Sequence, residues 1–115
     1  MEKRILEPKR QRRVPRQFSW VDHRLLSDEY FGRCSAAAWG LYLFLVVAGD
    51  AQGLSYYSDG AICQLLSLAP AELSGLRKEL LAGDLIAYKK PLYQVLSIEK
   101  PWCRYDARPK MAEPV

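Results

Sequence analysis

Nucleophiles, general bases and metal ligands are scarce in this sequence. Its one histidine, His23, stands alone in Asp22-His23-Arg24, a setting that suits a structural place near a helix start. There are no paired carboxylates, and no P-loop, nucleophile elbow or metal-ligand spacing. Asp59 and Glu79 read as a helix cap and a surface helical charge. An enzyme is therefore the least supported class, and no cofactor or metal is expected. Cys34, Cys63 and Cys103 are widely spaced and form no C-x-x-C pair. An odd count without a signal peptide points to a reducing, cytoplasmic compartment and free thiols. Cys34 and Cys63 read as small buried hydrophobes, and Cys103 as an exposed residue of a tail. Long apolar runs are also missing. The longest, Ala36–Ala48, falls short of the roughly 20 residues that span a bilayer, so it reads as a core helix and no membrane partner is expected. The N-terminus is basic but has no apolar stretch before a small-residue cleavage site.

What the chain does have is unevenly placed positive charge. Its 115 residues fit one small domain, and half of them are hydrophobic, enough for one core. Residues 1–17 hold seven Lys/Arg and two Glu, a net of +5. Residues 18–99 hold six basic and nine acidic residues, a net of −3, and residues 100–115 hold four basic and two acidic, a net of +2. The basic character lies on the ends, and the part with a core is mildly acidic.

Residues 1–17 are polar and broken by Pro8 and Pro15, so a disordered basic arm is expected there. Residues 18–21, Phe-Ser-Trp-Val, have strand character. Asp22 fits the N-cap of a short helix through Leu25 and Leu26. Residues 28–33 are ambiguous, with a helical turn carrying Tyr30 and Phe31 as one reading. Ser35 caps the strongest helix, from Ala36 to about Gly49, whose apolar residues lie all round and imply cover on every side. Gly40 inside it costs roughly 1 kcal/mol against alanine, and a closely packed neighbour would account for it. The aromatic residues Phe18, Trp20, Tyr30, Phe31, Trp39 and Tyr42 read mostly as core.

After a loop and a short strand at 54–57, Ser58 or Asp59 caps a helix over Asp59–Leu66 that points Ile62, Leu65 and Leu66 inward. A tight turn at 67–69 leads to a second helix opening on Pro70, where the missing N–H costs nothing. Leu73, Leu76 and Leu80 recur at spacings of three and four, the mark of a buried face. Gly83 ends that helix. Two apolar strands follow, the second over 92–98, joined by Lys89-Lys90-Pro91. Residues 99–115 form a flexible tail, from which Trp102 could fold back on the core.

The order helix, turn, helix, β-ribbon over residues 58–98 is the layout of an α+β winged helix-turn-helix, a three-helix core with a β-hairpin wing, spanning 18–98. Residues 66–86, LSLAPAELSGLRKELLAGDLI, resemble the helix-turn-helix and its glycine, leucine-isoleucine exit in bacterial winged-helix proteins. Residues 20–26 (WVDHRLL), 35–45 (SAAAWGLYLFL) and 53–59 (GLSYYSD) are similar to the opening of plasmid replication-initiator and primosome-loader N-terminal domains. The resemblance covers about 18–98 and implies a role in replication, mobile-element function or transcriptional regulation. Two departures stand out. Gly83 lies one position before the usual glycine, and Ala69 stands where a capping Ser or Thr is common, a loss of about 1 kcal/mol.

In such a module the helix from Pro70 would lie in the major groove, presenting Ala71, Glu72, Ser74, Gly75, Arg77 and Lys78. Arg77 suits a guanine edge, and Ser74 a base or a phosphate. Arg77 and Lys78 equally fit a solvated helix face. Lys89 and Lys90, at the tip of the 88–93 ribbon, suit phosphates beside the groove or simple solubility. The arm KRQRRVPR, with Arg10, Arg12, Arg13 and Arg16, could follow the backbone or enter a narrow minor groove, or bind polyanions without choice. Double-stranded DNA is the first expected partner, with a homodimer on paired half-sites. The alternative is a protein-binding adaptor in a replication or transposition assembly, suggested by the acidic body and its aromatic residues.

Overall fold

The computed structural model describes residues 2–98, so Trp102, Cys103 and the tail at 99–115 lie outside the described residues. The fold is α+β. Four α-helices, α1 (Arg24–Ser27), α2 (Ala36–Ala48), α3 (Asp59–Leu66) and α4 (Pro70–Ala82), accompany strands β1 (Leu54–Tyr56), β2 (Ile86–Lys89) and β3 (Leu92–Val95). Short 3-10 turns cover Pro8–Arg10 and Tyr30–Arg33. Among the described residues no helix is long and apolar enough to cross a membrane.

Local chemistry sets the helix starts. The Ser35 and Ser58 hydroxyls accept the N–H groups of Ala38 (3.2 Å) and Ala61 (3.1 Å) and cap α2 and α3, each satisfying an orphan donor of the first turn. Asp22 accepts the Arg24 N–H at 2.9 Å, although the residue flanking α1 is His23. At α4, Ala69 has no side chain to cap with, but the Glu72 carboxylate accepts the Ala69 N–H at 2.9 Å, the reciprocal bond of a capping box.

The exits of α3 and α4 each use a residue other than glycine in the left-handed region. Ser67 (φ 56°) turns the chain from α3 toward α4, and Asp84 (φ 63°) turns it toward β2. Each conformation costs roughly 1–2 kcal/mol outside glycine. The α4 end is closed by bonds from Asp84 N–H to the Leu81 carbonyl (3.2 Å) and from Leu85 N–H to the Leu80 carbonyl (3.1 Å), the paired pattern of a Schellman end. Gly83 is kept for space instead. A Cβ there would meet Cys34 Sγ at 3.3 Å and the Glu79 carbonyl at 3.3 Å. The glycine and the left-handed turn therefore occupy adjacent positions, which accounts for the early glycine. Gly53 needs both freedoms, with φ at 81° and the Val95 carbonyl 2.9 Å from where a Cβ would sit.

The sheet is antiparallel in the order β1-β3-β2. Ser55, Tyr93 and Tyr88 stand opposite one another across the three strands and share the core-facing side. Under that row lie Leu41 and Leu45 of α2, Ile62 of α3, and Leu73, Leu76 and Leu80 of α4, all buried. Fully burying one such leucine contributes about 1.5–3 kcal/mol, so the interlocking of α2, α3, α4 and the sheet is carried mainly by these side chains.

Four expectations are corrected. Leu65 is exposed, because α3 offers the core Ile62 and parts of Cys63 and Leu66. Residues 18–21 join no strand, and Phe18 and Trp20 are exposed rather than core. Cys34 and Cys63 are half-buried free thiols, not fully buried ones. Among the described residues, helix α2 is covered on one side only. Ala38, Leu41, Tyr42 and Leu45 are buried, while Leu43 and Val47 are exposed, and a Cβ on Gly40 would meet nothing within 4 Å. The expected close neighbour of Gly40 does not exist within the described chain.

Candidate nucleic-acid interface

Between residues 18 and 98 the chain has three arginines and three lysines, and the structure uses the two types differently. Arg24 donates to both oxygens of Asp22, the closest contact at 2.7 Å. Arg33 lies over the Tyr30 ring, 3.7 Å from its centroid, and donates to the Gly83 carbonyl. Arg77 grips Asp59 with both terminal nitrogens (2.9 and 3.2 Å), donates to the Tyr93 hydroxyl at 2.7 Å, and lies 4.4 Å from the centroid of the Tyr88 ring. All three arginines are engaged by the protein itself. Lys78, Lys89 and Lys90 are all exposed.

Arg77 is thus not on the outward face of α4. Its side chain is 13% exposed. At about 100° per residue, with Leu73, Leu76 and Leu80 facing the core, Arg77 falls on the flank nearest α3 and the sheet. The bidentate grip and the ring beneath it are the geometry that guanidinium chemistry favours. The result is a shared anchor for three elements: the start of α3, the middle of α4 and the hairpin.

Electrostatics agree with that description. The Arg77 bonds hold the Asp59 carboxyl below its ordinary value, and Asp59 in turn raises Arg77. Burial pushes the Tyr93 phenol up, against a smaller downward pull from Arg77, so it serves as a neutral acceptor at neutral pH. Tyr88 and Tyr93, expected on a phosphate-touching ribbon, face inward instead, their rings 4.5 Å apart.

The opposite flank of α4 is anchored as well. Glu79, read from sequence as a surface charge, accepts the Ser35 N–H at 2.7 Å and the Ser35 hydroxyl at 3.0 Å. A carboxylate at the start of α2 also meets the positive end of that helix. Nearby, the Cys34 thiol donates weakly to the Glu79 carbonyl at 3.5 Å, and burial raises its pKa, so it is a poor thiolate. Asp59 likewise is no cap. Ser58 takes that place, and Asp59 serves Arg77.

What α4 presents outward is a narrow stripe: Ala71, Gly75, Lys78 and Ala82 exposed, with Ser74 half-buried. Lys89 and Lys90 sit at the tight turn between β2 and β3. A small hollow lined by Tyr57, Asp59, Tyr88 and Lys90 joins that turn to the start of α3. Because Arg77 also reaches Asp59, Lys90 of the turn and the middle of α4 flank the same carboxylate.

The arm residues Arg10, Arg12, Arg13 and Arg16 are exposed. The backbone there is irregular apart from one 3-10 turn, where the Arg10 N–H donates to the Glu7 carbonyl at 2.9 Å. On the far side of the body, a cleft of about 580 Å³ runs between residues 18–24, α2 and the chain leaving β3, with Trp20, Tyr42, Val46 and Gln94 among its walls. Of its charged groups, Asp22 and Arg24 are bonded to each other, and Asp50 accepts the N–H groups of Gln52 and Leu54. Among the described residues, no group of three or more His, Cys, Asp or Glu side chains gathers where a metal ion could be held.

No protein-family model, curated protein or solved structure matches this chain.

Proposed function

We propose that this chain is a non-enzymatic winged-helix protein that binds double-stranded DNA mainly through its phosphates. The order α2-β1-α3-α4-β2-β3, with β1 completing a sheet behind a β2-β3 hairpin, supports the winged-helix reading. The observation that carries the functional reading is the division of the cations. Every arginine of the body is committed internally, and the exposed cations of α4 and the hairpin are lysines. Lysine is a compact point charge suited to phosphate, whereas bidentate reading of guanine is chiefly an arginine property. With Arg77 withdrawn, α4 offers Ser74 and Lys78 among small residues, a face able to approach a groove closely but poor in base contacts. Affinity then comes from Lys78, Lys89 and Lys90 together with Arg10, Arg12, Arg13 and Arg16 of the arm, and sequence selectivity is low. The resemblance over about residues 18–98 to bacterial winged-helix proteins, and to initiator and loader domains in its opening segments, supports a setting in replication, mobile-element function or transcriptional regulation.

A second reading, a protein-binding adaptor in a replication or transposition assembly, is favoured by the exposed Phe18 and Trp20 beside a body of net charge −3. A salt titration of the full chain with duplex DNA of mixed sequence separates the two. Seven phosphate contacts predict a slope of log affinity against log salt near −6, and changing Arg10, Arg12, Arg13 and Arg16 to glutamine predicts a slope shallower by about 3–4. Selection from a random pool is expected to enrich little. Affinity that hardly changes between about 50 and 200 mM salt, where phosphate binding loses orders of magnitude, removes the DNA reading and leaves the adaptor.

A further inference from the structure

Helix α2, AAAWGLYLFLVVA, contains no charged residue. Its Trp39 Nε1–H is satisfied by the Phe31 carbonyl at 3.0 Å. A helix apolar all round normally lies buried, yet among the described residues one side of α2 is bare. At 100° per residue, the side opposite Ala38, Leu41, Tyr42 and Leu45 carries Ala36, Gly40, Leu43 and Val47. Leu43 is 56% and Val47 65% exposed. Along the axis the stripe reads small, small, large, large.

That order is its own complement. If a second α2 is laid antiparallel with a two-fold axis passing between positions 41 and 42, Leu43 faces Gly40 of the other copy and Val47 faces Ala36. The same two pairs recur on the far side of the axis, as an isologous contact requires. Each large side chain enters the space left by a small one, and Gly40 has open room above it, with no atom within 4 Å of a built Cβ. The helix brings no charge into the contact, so two copies can meet there without burying one unpaired. We propose that the outer face of α2 is a homodimer contact, occupied by α2 of a second copy of this chain in the register Leu43 on Gly40 and Val47 on Ala36. This inference does not rest on DNA binding. A single helix pair falls short of the roughly 1,600 Å² of a standard interface, so the dimer is weak and reversible, dissociating on the order of tens of micromolar.

Sedimentation velocity of the nuclease-treated full chain, from about 5 to about 500 μM, brackets that range. The wild type is expected to pass from monomer to dimer. Leu43→Glu and Val47→Lys are expected to stay monomeric throughout with unchanged far-ultraviolet circular dichroism. Leu65→Glu, at a similarly exposed leucine of α3, keeps the dimer. Gly40→Leu gives an opposed pair of signals. It raises the melting temperature, since it removes a helix glycine into open space, but it fills the hollow and abolishes the dimer, a loss that misfolding cannot explain. A wild type that remains monomeric at the highest concentration overturns the proposal. So does a dimer that survives Leu43→Glu and Val47→Lys, and a dimer that tolerates Gly40→Leu overturns the register.

Discussion

Arg77 and Lys78 are neighbours in sequence, carry the same charge and sit on one helix, but the protein treats them in opposite ways. Arg77 is drawn into a contact with Asp59, Tyr93 and Tyr88, while Lys78 is left in water. One step of 100° around α4 separates a flank that holds the fold from a face that can meet a partner. The comparison teaches that a cation on a candidate reading helix says little by its type alone. Its place relative to the leucine stripe, and a carboxylate within reach, decide whether it is available.

The contrast can be tested most strongly at Arg77. Arg77→Ala is expected to lower stability by about 2–3 kcal/mol, since it removes packing and leaves Asp59 and Tyr93 without their donor, while the salt dependence of DNA binding stays as it was. A thermal melt and a salt titration read the two quantities. A shallower slope with unchanged stability would return Arg77 to the phosphates. On the other flank, Glu79→Ala should cost about 1 kcal/mol, read by denaturant midpoint, because Ser35 loses its acceptor and α2 its N-terminal carboxylate.

The Asp59 pair gives a pH test. Its carboxyl is held below the ordinary value of 3.8 by the Arg77 bonds. A depressed carboxylate adds stability that is fully present above its unfolded value and is lost as pH falls through the folded one. Asp59→Asn is expected to lower stability at neutral pH by about 1 kcal/mol or less, as suits a half-exposed partner, and to flatten the part of the acid limb below about pH 4. An acid limb as steep as in the wild type would place that titration elsewhere. The smallest effect on folding belongs to Lys78. Lys78→Ala should leave stability within about 0.5 kcal/mol and lower the salt slope for duplex DNA by about 0.9, the signature of one phosphate contact.

Much of the backbone could be read from local signals. Ser35 and Ser58 announce their helices, Leu73, Leu76 and Leu80 mark the inner face of α4, and Gly83 marks its end. These signals act over three or four residues, within reach of a periodicity argument. The candidate site was less legible. Arg77 finds Asp59 eighteen residues back and Tyr93 sixteen residues ahead, and Glu79 finds Ser35 across forty-four, so no spacing along the chain reveals these bonds. Composition misled in two further places. The apolar wrap of α2 suggested cover on every side, but hydrophobicity states a need for cover without supplying the neighbour. The aromatic residues Phe18 and Trp20 are core-forming by type, yet they are exposed. A signal for Arg77 did exist, since tyrosines at 88 and 93 on facing strands offer a planar cation both a ring and a hydroxyl, but it becomes visible only once the hairpin register is known.

The arm also sets a reach. Seventeen residues of backbone, if drawn out, span at most about 60 Å, more than the roughly 34 Å of one turn of duplex. On the proposed phosphate-binding reading, a duplex touched at the far end of that distance is still tethered to the same molecule, so leaving one stretch and capturing the next would not require passage through bulk solution.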